Sequence, residues 1–171
     1  MSPQPPAPAR EPAWSPSRSA IGLWVAQGVL GTVLYGLAVL AYVLLVPGDS
    51  GWFLGALRWA LPVFVVGYGV LFVGVAPRLR YRVHRWEVTA DAVYTLTGWL
   101  DRTWTLVPVS RIQTVDVTRS VVQQLFGLAS VAVLTASSQG TVRIPHLEAE
   151  VARRVAEDLA RRAELVRDEA T

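Results

Sequence analysis

The amino-acid sequence predicts an α+β membrane protein: a hairpin of two transmembrane helices, then a run of short strands followed by one amphipathic helix. Three observations predict it. Residues 21–46 contain no charged side chain. From residue 81 onward, apolar and polar residues alternate with a period near two, broken by short polar turns. Residues 147–167 return to a helical period, with Leu147, Val151, Val155 and Leu159 on one stripe widened by Ala152, Ala156 and Ala163. A hydrophobic fraction of 52% and a mean hydropathy of +0.36 are high for a soluble chain and agree with membrane segments. The sequence has no Cys, which excludes disulfides and thiolate chemistry.

Residues 1–19 include Pro3, Pro5, Pro6, Pro8, Pro12 and Pro16 and too little apolar surface to fold. They predict a disordered leader, either a plain tail or a proline-rich recognition tail. Arg10 and Arg18 ahead of an apolar run resemble the start of a signal peptide. The run is too long for one, and no small-x-small site closes it. At about 1.5 Å per residue, residues 21–46 make roughly 39 Å of helix, enough to cross a hydrocarbon core of ~30 Å. Residues 47–51, Pro-Gly-Asp-Ser-Gly, read as a tight polar turn. Residues 52–76 form the second apolar run. Arg58, beside Trp52 and Trp59, reads as an arginine snorkelling in an interfacial aromatic belt; the alternative is a functional charge inside the membrane. Pro62 predicts a kink. Gly28, Thr32 and Gly36, four residues apart, predict a face for close helix approach, most simply within the hairpin.

Arg78, Arg80, Arg82 and Arg85 cluster after the second helix, whereas the loop between the helices offers only Asp49. The positive-inside rule then places both termini in the cytoplasm. The same four arginines are the candidate contact for anionic lipid headgroups. Residues 81–88 read as a strand, 89–92 as a turn, 93–97 as a second strand ended by Gly98, and 99–107 as a third. Ile112, Val115 and Val117 lie among polar neighbours in a half-buried strand, and the uncharged residues 128–135 suit a strand with both faces covered. Residues 123–128 between them are too short for a helix of their own. Gly127 after Phe126 predicts a positive φ or a close backbone approach. Residues 137–140 read as a hairpin turn and 141–144 as the last strand. Closely spaced strands with short turns make a small barrel or sandwich. The boundaries are therefore a leader over 1–19, a helical hairpin over 20–77 (helices at about 21–46 and 52–76), a cytoplasmic domain over 78–167, and a tail over 168–171.

Arg111-Ile112-Gln113 followed by Leu125-Phe126-Gly127-Leu128-Ala129-Ser130-Val131 resembles the signature of bacterial pleckstrin-homology-like (PH-like) domains. The similarity is to the second bacterial PH class, that of YdbS-like membrane proteins. It extends upstream through Arg85-Trp86-Glu87-Val88-Thr89, Tyr94 and Gly98, and downstream through the last helix. The resemblance implies a bent or split β-barrel capped at one end by the C-terminal α-helix, in a protein of the bacterial cytoplasmic membrane. It implies structural roles for Arg111, Ile112, Gln113, Leu125, Phe126 and Gly127. PH domains of eukaryotic signalling proteins often bind phosphoinositides through basic residues around the first hairpin. Here that turn is Thr89-Ala90-Asp91-Ala92, without Lys or Arg, so phosphoinositide binding does not carry over. Arg102, Arg111 and Arg119 are scattered candidates for anion contact or surface ion pairs.

No catalytic, cofactor-binding or metal-ligating constellation is legible. His84 and His146 have no spaced Cys, Asp or second His and read as polar or capping residues. No P-loop, nucleophile elbow or dinucleotide-binding glycine pattern occurs. All basic residues are Arg, as codon bias would give, and no dense arginine stripe with interleaved aromatics points to nucleic acid. The expected function is a non-enzymatic protein-binding or scaffold module at the cytoplasmic membrane surface, holding a protein partner or copies of itself. The alternative is an anionic-lipid-sensing domain. The expected lipid contact is through the helical hairpin.

Overall fold

Two helical stretches are long and apolar enough to cross a membrane, Ser19–Leu45 and Trp52–Val83. Few of their side chains are buried within the protein. Leu30, Leu34, Leu37, Val63, Phe64 and Val66 are all exposed, as lipid-facing side chains are. The structure, a computed structural model, describes residues 11–47, 51–98, 101–135 and 140–169. It divides into two units: Ile21–Arg78, and Met1–Ala20 with Leu79–Thr171.

In the helical unit, α1 (Ser19–Leu45) lies against a stretch made of α2 (Trp52–Gly69) and a π-helical segment, Val70–Val75. Small residues set the approach. A Cβ on Gly28 would collide with the Phe72 carbonyl, and one on Gly31 would lie 2.6 Å from Tyr68 Oη. Thr32 faces Gly69, but a Cβ on Gly36 would meet nothing within 4 Å. The expected contact face is therefore Gly28, Gly31 and Thr32, without Gly36. Tyr68 stacks on Phe72 at 4.4 Å and meets Tyr35 edge-on at 4.9 Å. The helix runs on through Pro62, and its departure from α geometry is the π-helical Val70–Val75. Arg58 Nη1 donates to the Val46 carbonyl at 3.3 Å, and Tyr42 Oη donates to the Leu54 carbonyl at 2.9 Å. Arg58 thus holds the turn end of the hairpin. The turn residues 48–50 lie outside the described residues.

The helix does not stop where strand alternation was expected to begin. α3 (Ala76–Val83) takes in Tyr81, Arg82 and Val83, so the first strand is only β1 (Arg85–Val88). Extending a helix already nucleated costs little, and Arg80 and Arg82 in its last turn favour the negative end of the helix dipole. β1 pairs antiparallel with β2 (Ala92–Thr97), and β2 with β3 (Thr103–Pro108). β3 starts later than expected, and the expected strand residues 99 and 100 lie outside the described residues. A 3-10 turn, Val109–Arg111, leads into the second sheet: β4 (Ile112–Thr118), β5 (Leu128–Thr135) and β6 (Thr141–Glu148), in that order and antiparallel. The expected turn over 137–140 is described only at Gly140, which has φ +67. β6 is longer than expected because a bulge, with a register shift between Ala129 and Val131, carries pairing past Pro145.

The two sheets and the last helix, α5 (Ala149–Glu169), share one core. Val93 and Val107 come from the first sheet, Ile112, Val131, Val133 and Ile144 from the second, and Ala152, Ala156, Leu159 and Ala163 from α5. Val151 and Val155 are only half-buried. The alanines face the sheets, so the helix axis comes closer than a valine stripe would allow. The β5 expectation holds: every residue from Leu128 to Val133 is buried. The segment between β4 and β5, expected to be irregular, contains α4 (Val121–Leu125). Ser120 and Gln123 close a reciprocal capping box at its start.

The leader differs from the expectation too. Trp14 pairs antiparallel with Trp86, the two amides donating to each other's carbonyls at 2.9 and 2.8 Å. Trp86 Nε1 donates to the Ser15 carbonyl at 3.1 Å, Arg85 Nη1 donates to Ser15 Oγ at 2.6 Å, and the Ser17 amide donates to the His146 carbonyl at 2.9 Å. Pro12 and Pro16 are buried. Residues 11–17 thus occupy the otherwise free edge of β1. Residues 1–10 lie outside the described residues.

Candidate functional site

Each strand of the first sheet alternates its side chains between faces. Val93 and Val107 are paired partners on the core-facing side. Two residues along, the same face carries Thr95 opposite Thr105, and two further, Thr97 opposite Thr103. The inner face therefore changes from valine to threonine toward the β2–β3 turn. Across from these residues runs β6, whose Val142 and Ile144 are buried. A cleft of about 610 Å³ opens there, lined by these four threonines, Trp104 on β3, and Thr141, Val142, Arg143 and Pro145 on β6. Thr95 at its floor is 3% exposed, whereas Trp104 is 39% exposed.

β3 and β6 each pair on one side only, with β2 and β5. Among the described residues, the cleft is thus bounded by two strand edges whose outward backbone groups have no ladder partner. Its described lining is five threonines, Trp104, Val142, Arg143 and Pro145, with no carboxylate, histidine or cysteine among these residues. Among the described residues, no group of three or more His, Asp or Glu is placed to hold a metal.

A second polar cluster is internal. Gln123 Nε2 donates to Ser130 Oγ at 2.8 Å and lies 3.2 Å from His146 Nδ1. His146 has φ +58 at the β6 bulge, and its amide donates to Ser130 Oγ at 3.4 Å. Burial pushes His146 below the ordinary histidine range, and the nearby charges of His84 and Arg80 add to this. The cluster ties α4, β5 and β6 together. Its partners are amide, hydroxyl and backbone, which suits a structural role.

The residues expected to matter are placed as follows. Ile112 is buried in the core; Arg111 and Gln113 are exposed. Gly127 has φ +66 and its carbonyl accepts from the Ala149 amide at 3.0 Å. Phe126 is half-buried, but Leu125 is 80% exposed, so this motif residue is not part of the core. Of the four clustered arginines, Arg78 donates to the Gly74 carbonyl and Arg85 reaches Ser15. Arg78 and Arg82 are exposed; Arg80 and Arg85 are half-buried. Arg102 faces Glu11 at 3.8 Å, and Arg119 Nε donates to the Leu128 carbonyl at 3.1 Å. Arg102, Arg111 and Arg119 do not line the cleft; Arg143 does. The sequence did hold a signal for it: Thr95, Thr97, Thr103 and Thr105 continue the period of Val93 and Val107.

Two apolar helices followed by two three-stranded antiparallel sheets and a closing helix define a membrane-attached PH-like protein. The bacterial PH domain family profile matches residues 25–163, and the chain belongs to that family. The match begins within α1 and ends within α5. The chain is also similar to the UPF0699 transmembrane protein YdbS of Bacillus subtilis (strain 168), with 30% identity over 137 residues, 80% of each chain. No solved structure gives a significant match.

Proposed function

We propose that this bacterial PH domain protein is a non-enzymatic module that holds an extended protein segment at the cytoplasmic face of the bacterial inner membrane. The observation that carries this reading is the cleft between the edges of β3 and β6, which are unpaired among the described residues. An extended peptide supplies the backbone donors and acceptors that such an edge lacks, and flanking side chains select its sequence. The threonines offer hydroxyls and Arg143 offers a guanidinium. In this reading residues 20–77 form the membrane hairpin and 78–167 the cytoplasmic domain, joined by residues 11–17 on the β1 edge. The clustered arginines follow from topology.

Photo-crosslinking in native membranes tests the reading. A photoreactive residue at Thr103 or Thr141 should yield the same protein adduct, and one at Leu165 on α5 should not. Thr105→Lys, which fills the cleft mouth, should reduce the adduct at Thr141 at least several-fold. Adducts of two copies of the chain identify self-association as the use of the edge. No protein adduct from either cleft position refutes the proposal.

The second reading is an anionic-lipid sensor. It rests on the exposure of Arg78 and Arg82 directly after the hairpin. Saturable, headgroup-selective binding of the full chain that survives high salt would favour it, since surface attraction without a formed site is screened.

A further inference from the structure

The cleft is not the only surface with unmet chemistry. Within the strand domain, very exposed apolar side chains gather on α4. Leu125 is 80% exposed, Val121 75% and Val122 37%, and Val117 at the end of β4 adds 41%. Spacings of three and four residues put Val121, Val122 and Leu125 on one side of the helix. Gln123 points the other way. It is buried, and it is bonded to Ser130 on β5. The capping box fixes the helix start, and the left-handed Gly127 follows its end. The fold therefore fixes this apolar side toward solvent.

The charged residue next to it in the chain is basic. Between Asp116 and Glu148 there is no acidic residue, and the two charged ones are Arg119 and Arg143. Arg119 stands directly before α4 and is exposed.

We propose that the Val121–Val122–Leu125 side of α4 enters the headgroup region of the bilayer that holds the apolar helices. An apolar tip gains by leaving water, and the arginine directly before it gains by meeting phosphate. Three or four side chains are too few to hold a free domain on a membrane. Helices in the same chain keep a bilayer at high local concentration, so a weak contact becomes occupied. Such a contact orients the domain on the bilayer, and it is independent of what the cleft holds.

The chain has no cysteine, so Val121→Cys and Leu125→Cys each accept one environment-sensitive fluorophore at an exposed position. Leu165→Cys, at a 58% exposed site on α5, is the control. Full-length protein is reconstituted at high dilution in vesicles of phosphatidylcholine and phosphatidylglycerol. The expected result is blue-shifted emission at 121 and 125, quenched by lipids carrying a nitroxide near the headgroup, with neither effect at 165. The quenching should persist in high salt, because apolar burial is not screened. Leu125→Glu should abolish the quenching of the label at 121. Water-like emission at 121 and 125 overturns the proposal. A blue shift without lipid quenching also overturns it, since a second copy then covers the helix. Loss of quenching in high salt overturns it by leaving only an arginine contact, and equal quenching at 165 by showing non-specific adsorption.

Discussion

Gly127 is held at φ +66, and a Cβ there would meet nothing within 4 Å. The cost of a substitution thus comes from the left-handed backbone alone. Gly127→Val should destabilise the protein by about 1–3 kcal/mol. Gly127→Asn should cost less, because Asn visits this region more readily. Thermal unfolding of the detergent-solubilised protein checks this; an unchanged Tm for Gly127→Val refutes it. His146 also sits at positive φ, with a different consequence. The Gln123 amide faces its Nδ1 at 3.2 Å, a pairing that requires an unprotonated Nδ1. Burial lowers His146, and burial also lowers His84, against the Arg80 carbonyl hydrogen bond that raises it. A histidine with a depressed folded pKa is protonated first in the unfolded chain. Stability is therefore fully present above the ordinary value of 6.5 and is lost as pH falls from there through the lowered folded value. The Tm should drop over that interval. His146→Asn, which removes the titrating group but tolerates the backbone, should make the drop shallower. A variant with the unchanged slope would assign the pH dependence elsewhere.

At the level of elements, the apolar helices were the more legible part of the chain, and the strands of the domain were legible in place but not in their ends. β2 and β5 announce themselves by Val93 and by the uncharged residues 128–135, because burial on a sheet demands those residue types. α5 was legible in outline, but its deepest line is alanine, since how close a helix comes to a sheet is a tertiary matter. α3 overran the expected β1 because Tyr-Arg-Val-His fits either period and the preceding helix decides. α4 carried a readable Ser120–Gln123 capping signal, yet the apolar run after it was too short to read as a helix. The leader was the largest difference. Prolines read as disorder, but Pro12 and Pro16 also pre-set an extended backbone that can lie along a strand edge. That edge is a tertiary feature. Its pairing predicts slow hydrogen exchange at the amides of Trp14 and Trp86, which donate to each other's carbonyls. Trp14→Pro removes one donor, at a net cost of about 0.5–1.5 kcal/mol. It should speed exchange at Trp86. Unaltered exchange there would mean that the leader does not hold the β1 edge in solution.

The molecule as a whole is ordered by where its charges can go. Arg10 and Arg18 precede α1, and Arg78, Arg80 and Arg82 lie at the far end of the second helical stretch, with Arg85 just beyond. Against these six stands Arg58, whose guanidinium reaches the Val46 carbonyl at the turn end of the hairpin. Arg58 is thus a basic residue at the turn, which a reading of Asp49 alone left out of the balance. Six to one still favours retaining the termini, because each arginine kept from crossing resists translocation and turn residues cross only as part of a short loop. A fluorescent protein fused after Thr171 should therefore fluoresce in cells, and alkaline phosphatase fused at the same point should be inactive. Arg58→Ala should leave both readouts unchanged, since it removes the one opposing charge. Replacing Arg78, Arg80 and Arg82 together by Gln should raise phosphatase activity, because the asymmetry then rests on the leader and Arg85. High phosphatase activity in the unsubstituted fusion would put the cleft outside the cytoplasm and overturn the proposed location of its partner.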